Sequence, residues 1–174
     1  LIRPPTYAMY LPDGSYNGYQ NGQRNPVGLA NLATDEDNSH RLIGSQYAEF
    51  QILEGLKFRS NLNLDYISMK EDFFLPSSLD YREGWNEGKV RSSQNLTWGS
   101  ESYLSYNQSF DRKHNLSALA GLGFQRWKRT ITGLDGMYFA SDRIITLNGA
   151  GTVSNQQVNR ETEHVLRSYF GRAS

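Results

Sequence analysis

The chain has 174 residues, zero formal net charge from 18 basic and 18 acidic side chains, 37% hydrophobic residues and 13% aromatic residues. This balance leaves no basic field to attract nucleic acid, and the absence of cysteine excludes disulfides and thiolate metal sites. Disordered chains are poor in aromatic residues, so we expect a folded protein. A water-soluble all-β domain and a transmembrane barrel with a polar lumen both fit the composition.

Four segments alternate between apolar and polar residues with a period of two, which predicts β-strands. The apolar residues fall mainly on even-numbered positions, although Gln46 and Leu119 break the pattern. A fifth, less regular segment follows near the end of the chain. In chain order the predicted strands are 42–52, 56–66, 95–110, 116–125 and about 163–173.

The connections between these strands alternate in length. Residues 53–55 and 111–115 are short, whereas 1–40, 69–91 and 130–160 are long, polar and loop-like. Long irregular loops are uncommon in compact soluble domains, but long extracellular loops and short periplasmic turns are typical of outer-membrane barrels. The sequence therefore predicts an all-β fold, an antiparallel up-and-down transmembrane β-barrel segment of about five strands. A transmembrane helix is not expected, because the sequence lacks a run of about 18 apolar residues.

The shared parity predicts which face each side chain occupies. The apolar even set should face lipid: Leu62, Leu64, Leu96, Leu104, Leu122 and Phe124. The polar odd set should line the lumen: Glu49, Arg59, Asn61, Asn63, Asp65, Glu101 and Gln125. Even-numbered aromatic residues near both strand ends, such as Trp98 and Phe110, fit the two aromatic girdles of a membrane barrel. In the alternative, a soluble sandwich, the even face would be the core.

The first hairpin can be predicted at residue level. Directly opposed residues share a face, so two strands with apolar even positions require a loop of odd length. A three-residue loop Leu53-Glu54-Gly55 fits, because such loops end with a residue at positive φ, which glycine adopts without strain. This register places Glu49 opposite Arg59, an ion pair on the lumen face.

Catalytic chemistry is not indicated. The three histidines are scattered, and the acidic run 35–38 lacks the glycine and distal glutamate of an EF-hand, so it reads as a solvated loop. Glycine-rich phosphate loops and nucleophile elbows are absent from the sequence. We therefore expect neither an enzyme nor a metal or cofactor site.

The loops carry aromatic residues that suit contacts with a ligand or with a lid protein, since exposed Tyr and Trp favour sugar, peptide and protein surfaces. Packing of loop against loop explains any single one of them equally well. Arg126, at the end of the fourth strand, either meets a lipid phosphate or is a solvated strand end. The aromatic candidates are Phe73, Phe74, Tyr81, Trp85, Tyr138 and Phe139.

An ordered series of segments resembles the SusC/RagA-type TonB-dependent transporters of Bacteroidota outer membranes. The resemblance spans nearly the whole chain but only part of that family's barrel. The segments are Asn25-Pro26-Val27, RLIGSQYAEF at 41–50, GLKFR at 55–59 with Asp65-Tyr66, Phe74-Leu75-Pro76, ESYLSY at 101–106, HNLSALAG at 114–121 and LRSYFGR at 166–172.

The resemblance implies a barrel of about 22 strands in the outer membrane of a Gram-negative bacterium. It also implies import of oligosaccharides or peptides, driven through TonB, with a SusD-like surface lipoprotein over the extracellular mouth. Residues 1–174 would be part of the barrel, with the plug domain, the TonB box and the signal peptide outside this sequence, and both ends would be internal cuts. Two alternatives stay open: a soluble β-sandwich that binds a glycan or a protein, and a passive porin-like channel.

Overall fold

A computed structural model describes residues 7–20, 22–82, 84–110, 114–154 and 159–174. Most of these residues lie in antiparallel strands, which confirms the predicted fold class. A short helix α1 (Pro26–Leu32) separates the first two strands from the rest. The strands are β1 (Tyr19–Gln20), β2 (Gln23–Arg24), β3 (Thr34–Leu53), β4 (Leu56–Leu75), β5 (Glu87–Phe110), β6 (His114–Phe139), β7 (Ala150–Ser154) and β8 (Arg160–Ala173).

Two sheets organise these strands. β1 and β2 form a small ribbon, and the main sheet has the order β3-β4-β5-β6-β7, with β8 also pairing with β6. From β3 to β7, sequential strands are therefore neighbours, as in an up-and-down meander. None of the described helices is long and apolar enough to span a lipid bilayer.

The main strands extend well beyond their predicted ends. β4 continues to Leu75, β5 begins at Glu87 and β6 reaches Phe139, so the predicted loops 69–91 and 130–160 are partly strand. β3 likewise begins at Thr34, inside the predicted loop 1–40. At about 3.3 Å per residue, 20 residues span about 66 Å, twice a hydrocarbon core of about 30 Å. These extensions mix apolar and polar residues without the regular alternation of the predicted strands, and they include the buried Phe74, Leu75 and Phe139.

The chain divides into two compact units. Unit 1 consists of Leu1–Ser39, Met69–Ser92 and Ile131–Arg160. Unit 2 consists of His40–Ser68, Ser93–Thr130 and Glu161–Ser174. The predicted alternating strands fall almost entirely in unit 2, whereas most of the predicted loop segments fall in unit 1.

Contacts within unit 2 confirm the shared parity of β4, β5 and β6, and the ion pair between Arg41 of β3 and Asp65 of β4 extends it to β3. Ser60 and Ser102 hydrogen-bond at 2.8 Å, and the rings of Trp98 and Phe124 lie 4.9 Å apart, so even residues share one face. On the other face the Ser117 hydroxyl donates to Asn107 Oδ1 at 2.8 Å. β8 has the opposite parity, because a Cβ at Gly121 or Gly123 of β6 would strike Phe170 or Ser168.

The apolar even face of unit 2 is exposed, which overturns the sandwich alternative. Phe50 is 61% exposed and Leu62 is 55% exposed, whereas a sandwich would bury both under a second sheet. A contiguous exposed apolar face of this kind marks a membrane or protein contact. The other large even-numbered residues exposed on these strands are Leu42, Ile52, Leu64, Leu104, Phe110, Leu116 and Leu122.

The β3–β4 hairpin turns where the sequence predicts. Glu54 and Gly55 lie between β3 and β4, whereas Leu53, the first residue of the predicted three-residue loop, is the last residue of β3. Gly55 has φ +77°, and Glu54 does not have positive φ, so type I′ and II′ turns are excluded. The predicted second turn starts at residues 111–113, outside the described residues, and His114 and Asn115 already belong to β6.

Unit 1 has its own small core. Phe74 and Phe139 pack edge to face at 5.1 Å, beside the fully buried Leu75 and Leu79. The buried Asn25 caps α1: its Oδ1 accepts from the backbone N–H groups of Val27 and Gly28, and Pro26 begins the helix. This capping role gives a structural reason for the Asn-Pro-Val segment.

Candidate ligand-facing sites

A concave groove of about 380 Å³ crosses the strands of unit 2 on the face of the odd-numbered residues of β3 to β6. It brings together four of the seven predicted lumen residues: Asn63, Asp65, Glu101 and Gln125. We call it the polar groove. Its other polar lining residues are Ser45, Thr97, Ser100 and Ser168.

Two glycines that line the polar groove leave space that side chains would occupy. A Cβ on Gly123 would lie 2.6 Å from Ser168 Oγ, and one on Gly99 would lie 3.2 Å from the Phe124 carbonyl oxygen. Both glycines line the groove, so side chains at these positions would fill it. The sequence shows these glycines but gives no sign that they are neighbours.

A bidentate ion pair fixes one wall of the polar groove. Arg41 Nε donates to Asp65 Oδ1 at 3.0 Å, and Arg41 Nη2 donates to Asp65 Oδ2 at 2.8 Å. Glu101, by contrast, has no ion pair with any described residue. The groove thus offers one neutralised carboxylate and one free carboxylate. Sequence reasoning missed Arg41, because 24 positions separate it from its partner.

The remaining predicted lumen residues cluster nearer the β3–β4 turn. Glu49 lies 3.8 Å from Arg59 Nη1 and 3.3 Å from Lys57 Nζ, which confirms the predicted Glu49–Arg59 pairing. Arg59 Nε donates to Asn61 Oδ1 at 3.2 Å, and its guanidinium lies 4.3 Å from the centre of the Tyr47 ring. A cross-strand ion pair this exposed contributes about 0.2–1 kcal/mol to stability.

The six predicted loop aromatics have different environments. Phe74 and Phe139 are only 2% and 5% exposed, so these two rings pack the core of unit 1 and offer no free face to a ligand. Tyr81 and Tyr138 are 66% and 53% exposed, while Trp85 is half-buried. The structure therefore corrects the candidate set by removing the two phenylalanines.

A buried carboxylate, that of Asp80, positions the arginine that packs on the Trp85 ring. Asp80, whose side chain is 0% exposed, accepts hydrogen bonds from Arg82 Nε at 2.8 Å and from Arg24 Nη2 at 2.8 Å. Hydrogen bonds from Arg82, and secondarily from Arg24, hold the pKa of Asp80 well below its usual range despite burial. The Arg82 guanidinium lies 3.4 Å from the centre of the Trp85 ring.

Tyr138 adopts a backbone conformation that tyrosine rarely occupies. Its φ is +59°, the only positive value among the described non-glycine residues. Its ring packs edge to face on Trp85 at 5.0 Å. Such strain costs on the order of 1–3 kcal/mol and often marks a functional position. Neither the strain at Tyr138 nor the pairing of Asp80 with Arg24 has a signature in the sequence.

Arg126 does not offer a free guanidinium to a lipid phosphate. It forms a bidentate pair with Glu163 at 2.9 Å for both contacts, and Lys128 lies 3.0 Å from Glu161. The lipid-phosphate hypothesis for Arg126 is therefore replaced by an ion-pair assignment. β8 supplies both carboxylates, and the sequence analysis did not predict these pairs because this segment lacks a clear alternation.

A second groove, of about 390 Å³, lies in unit 1. We call it the charged groove; it is lined by Asp35, Asp37, Glu71, Phe73, Lys89 and Arg91. The acidic run 35–38 belongs to β3 and is not a loop. Over the described part of the chain, acidic and histidine residues form no group of three that could hold a metal ion.

Comparisons with known proteins agree on one type of relative. No protein-family model matches the chain. TonB-dependent receptors P39 and P26 of Formosa agariphila are each 27% identical to it, over 98% and 97% of the chain, and receptor P3 of the same bacterium is 28% identical over 98%. The chain spans 17% to 18% of the length of these curated relatives.

Solved structures give the same result for the fold. The RagAB peptide transporter matches 92% of this chain with a TM-score of 0.78 at 20% identity, over 19% of its own chain. The RagAB peptide importer in its closed-closed state matches over the same shares with a TM-score of 0.77 at 19% identity. The sequence relatives and the fold together confirm the predicted resemblance of this chain to a barrel segment of SusC/RagA-type TonB-dependent transporters.

Proposed function

We propose that the chain forms part of the wall of a TonB-dependent importer in the outer membrane of a Gram-negative bacterium. The observation that carries this proposal is the match of nearly the whole chain to three TonB-dependent receptors. The cargo would be an oligosaccharide or a peptide, and the partners would be a SusD-like surface lipoprotein and TonB. TonB would act through a region outside this sequence.

The division of faces supports a place in a membrane wall. In unit 2 the exposed apolar residues of β3 to β6 are mainly even-numbered, and the polar groove lies on the odd-numbered face. A barrel wall needs this arrangement, because one face contacts lipid and the other contacts an aqueous lumen. We therefore propose that Asn63, Asp65, Glu101 and Gln125 face the lumen, together with Glu49, Arg59 and Asn61.

Cysteine labelling of the full-length protein in lipid nanodiscs tests this assignment. A water-soluble maleimide should label Asn63→Cys and Glu101→Cys, because the lumen is wet. It should leave Leu62→Cys and Leu104→Cys largely unlabelled, because lipid covers the even positions. Preferential labelling of the even pair would reverse the inside–outside assignment.

Import itself is tested in cells. A strain that lacks the full-length gene should lose uptake of the cargo and regain it on complementation. Removal of TonB should abolish uptake as completely as loss of the gene, because import of this kind draws its energy through TonB. Uptake that persists without TonB would contradict the proposal and favour a passive porin-like channel.

A further inference from the structure

We propose that the charged groove binds a short zwitterionic ligand, an oligopeptide with free termini, in preference to a neutral oligosaccharide. The inference rests on the proposed import function and narrows its substrate class. It concerns unit 1 alone and its six lining residues. Their positions are all odd-numbered.

The groove separates its charges by strand. β3 contributes Asp35 and Asp37, β4 contributes Glu71, and β5 contributes Lys89 and Arg91. Within the described ranges, none of the three carboxylates forms an ion pair. An acidic side and a basic side therefore border one cavity. This layout complements an ammonium group at one end of a ligand and a carboxylate at the other.

The spacing sets the length of the ligand. Neighbouring strands lie about 4.8 Å apart, so β3 and β5 are separated by about 10 Å across β4. An extended peptide advances about 3.3–3.6 Å per residue, so about three residues join the two sides. The volume of about 390 Å³ lies within the range of small-ligand pockets.

The middle strand supplies an apolar contact. Phe73 on β4 is half-buried and lines the cavity between the acidic and basic strands. Lys89 Nζ lies 5.4 Å from the centre of its ring, and the nearest ion-pair partner of Lys89 is Glu87 at 3.6 Å. At that distance Lys89 is only loosely held and can turn to a carboxylate.

A neutral oligosaccharide makes poorer use of this groove. It would cover charged side chains without supplying opposite charges, and charge taken from water without a partner is costly. A zwitterion supplies both partners at once through charge-assisted hydrogen bonds. The groove chemistry therefore favours free peptide termini.

Calorimetry on the full-length protein with three probes tests the inference. Trialanine should bind, whereas N-acetyl-trialanine amide, which has the same length without terminal charges, should bind about tenfold more weakly or worse. Maltotriose should behave like the blocked peptide. Equal binding of free and blocked trialanine, preferential binding of maltotriose, or no detectable binding of trialanine would each overturn the inference.

Paired variants locate the site. Asp35→Asn with Asp37→Asn, and Lys89→Gln with Arg91→Gln, should each weaken trialanine binding by about tenfold. The matched control is Lys70→Gln with Asp72→Asn, which neutralises an ion pair at even positions of β4. The two charged groups lie 2.6 Å apart, and their loss should leave trialanine binding unchanged. Losses as large in the control as in the groove variants would also overturn the inference. TonB-dependent uptake of an oligosaccharide by the same protein would leave the proposed import function intact while excluding the peptide preference.

Discussion

Replacing Leu62 with arginine should lower the free energy of unfolding of the full-length barrel by about 2–4 kcal/mol, whereas Asn61→Arg should cost little. Leu62 is 55% exposed on the apolar even face near the middle of the alternating part of β4. If that face meets hydrocarbon, the guanidinium must enter lipid. Asn61 lies beside Arg59 on the polar face, where an added cation remains in water.

Chemical unfolding of the protein in lipid vesicles measures the difference. The two variants are matched, since they introduce the same side chain at neighbouring positions of one strand. Leu62→Gln provides a second comparison, because it removes the apolar side chain without adding charge. Equal losses for Leu62→Arg and Asn61→Arg would count against a membrane setting for the even face.

The parity of the strands was predictable because a sheet with one apolar face and one polar face imposes a period of two. The same rule predicted a chain reversal at Leu53-Glu54-Gly55 and the Glu49–Arg59 pair, since opposed residues must share a face. In β8 the pattern is blurred: Leu166 is apolar, yet it lines the polar groove. The face on which each β8 side chain lies is set by the pairing of β8 with β6, and not by the polarity of that side chain.

The parts that the sequence did not reveal depend on other forces. The extensions of β4, β5 and β6 lack a regular alternation of apolar and polar residues, so a period of two does not reveal them in the sequence. The Arg41–Asp65 and Arg24–Asp80 pairs join residues far apart in the chain, so neither forms a local motif. From the sequence, Phe74 is predicted to be an exposed loop aromatic, but in the structure it packs on Phe139.

Gly55→Val should destabilise the β3–β4 hairpin by about 1–3 kcal/mol, because a β-branched residue is a poor occupant of positive φ. Gly55 has φ +77°. A close approach adds to the backbone strain: a Cβ at this position would lie 2.5 Å from the Asn107 carbonyl oxygen of β5. The Gly55 carbonyl oxygen also accepts a hydrogen bond from Asn107 N–H at 2.8 Å, which holds the turn against β5.

Three variants of the full-length protein separate these effects when their unfolding is compared in vesicles. Gly44→Val is the matched control: it makes the same change in β3, where a Cβ meets nothing within 4 Å and the backbone does not have positive φ, so stability should be nearly unchanged. Gly55→Asn tolerates positive φ but still introduces the Cβ, so it should recover only part of the loss. Full recovery by Gly55→Asn would show that the Asn107 contact is unimportant. Wild-type stability of Gly55→Val would refute the hairpin geometry, and the inside–outside assignment of β3 and β4 would have to be redrawn.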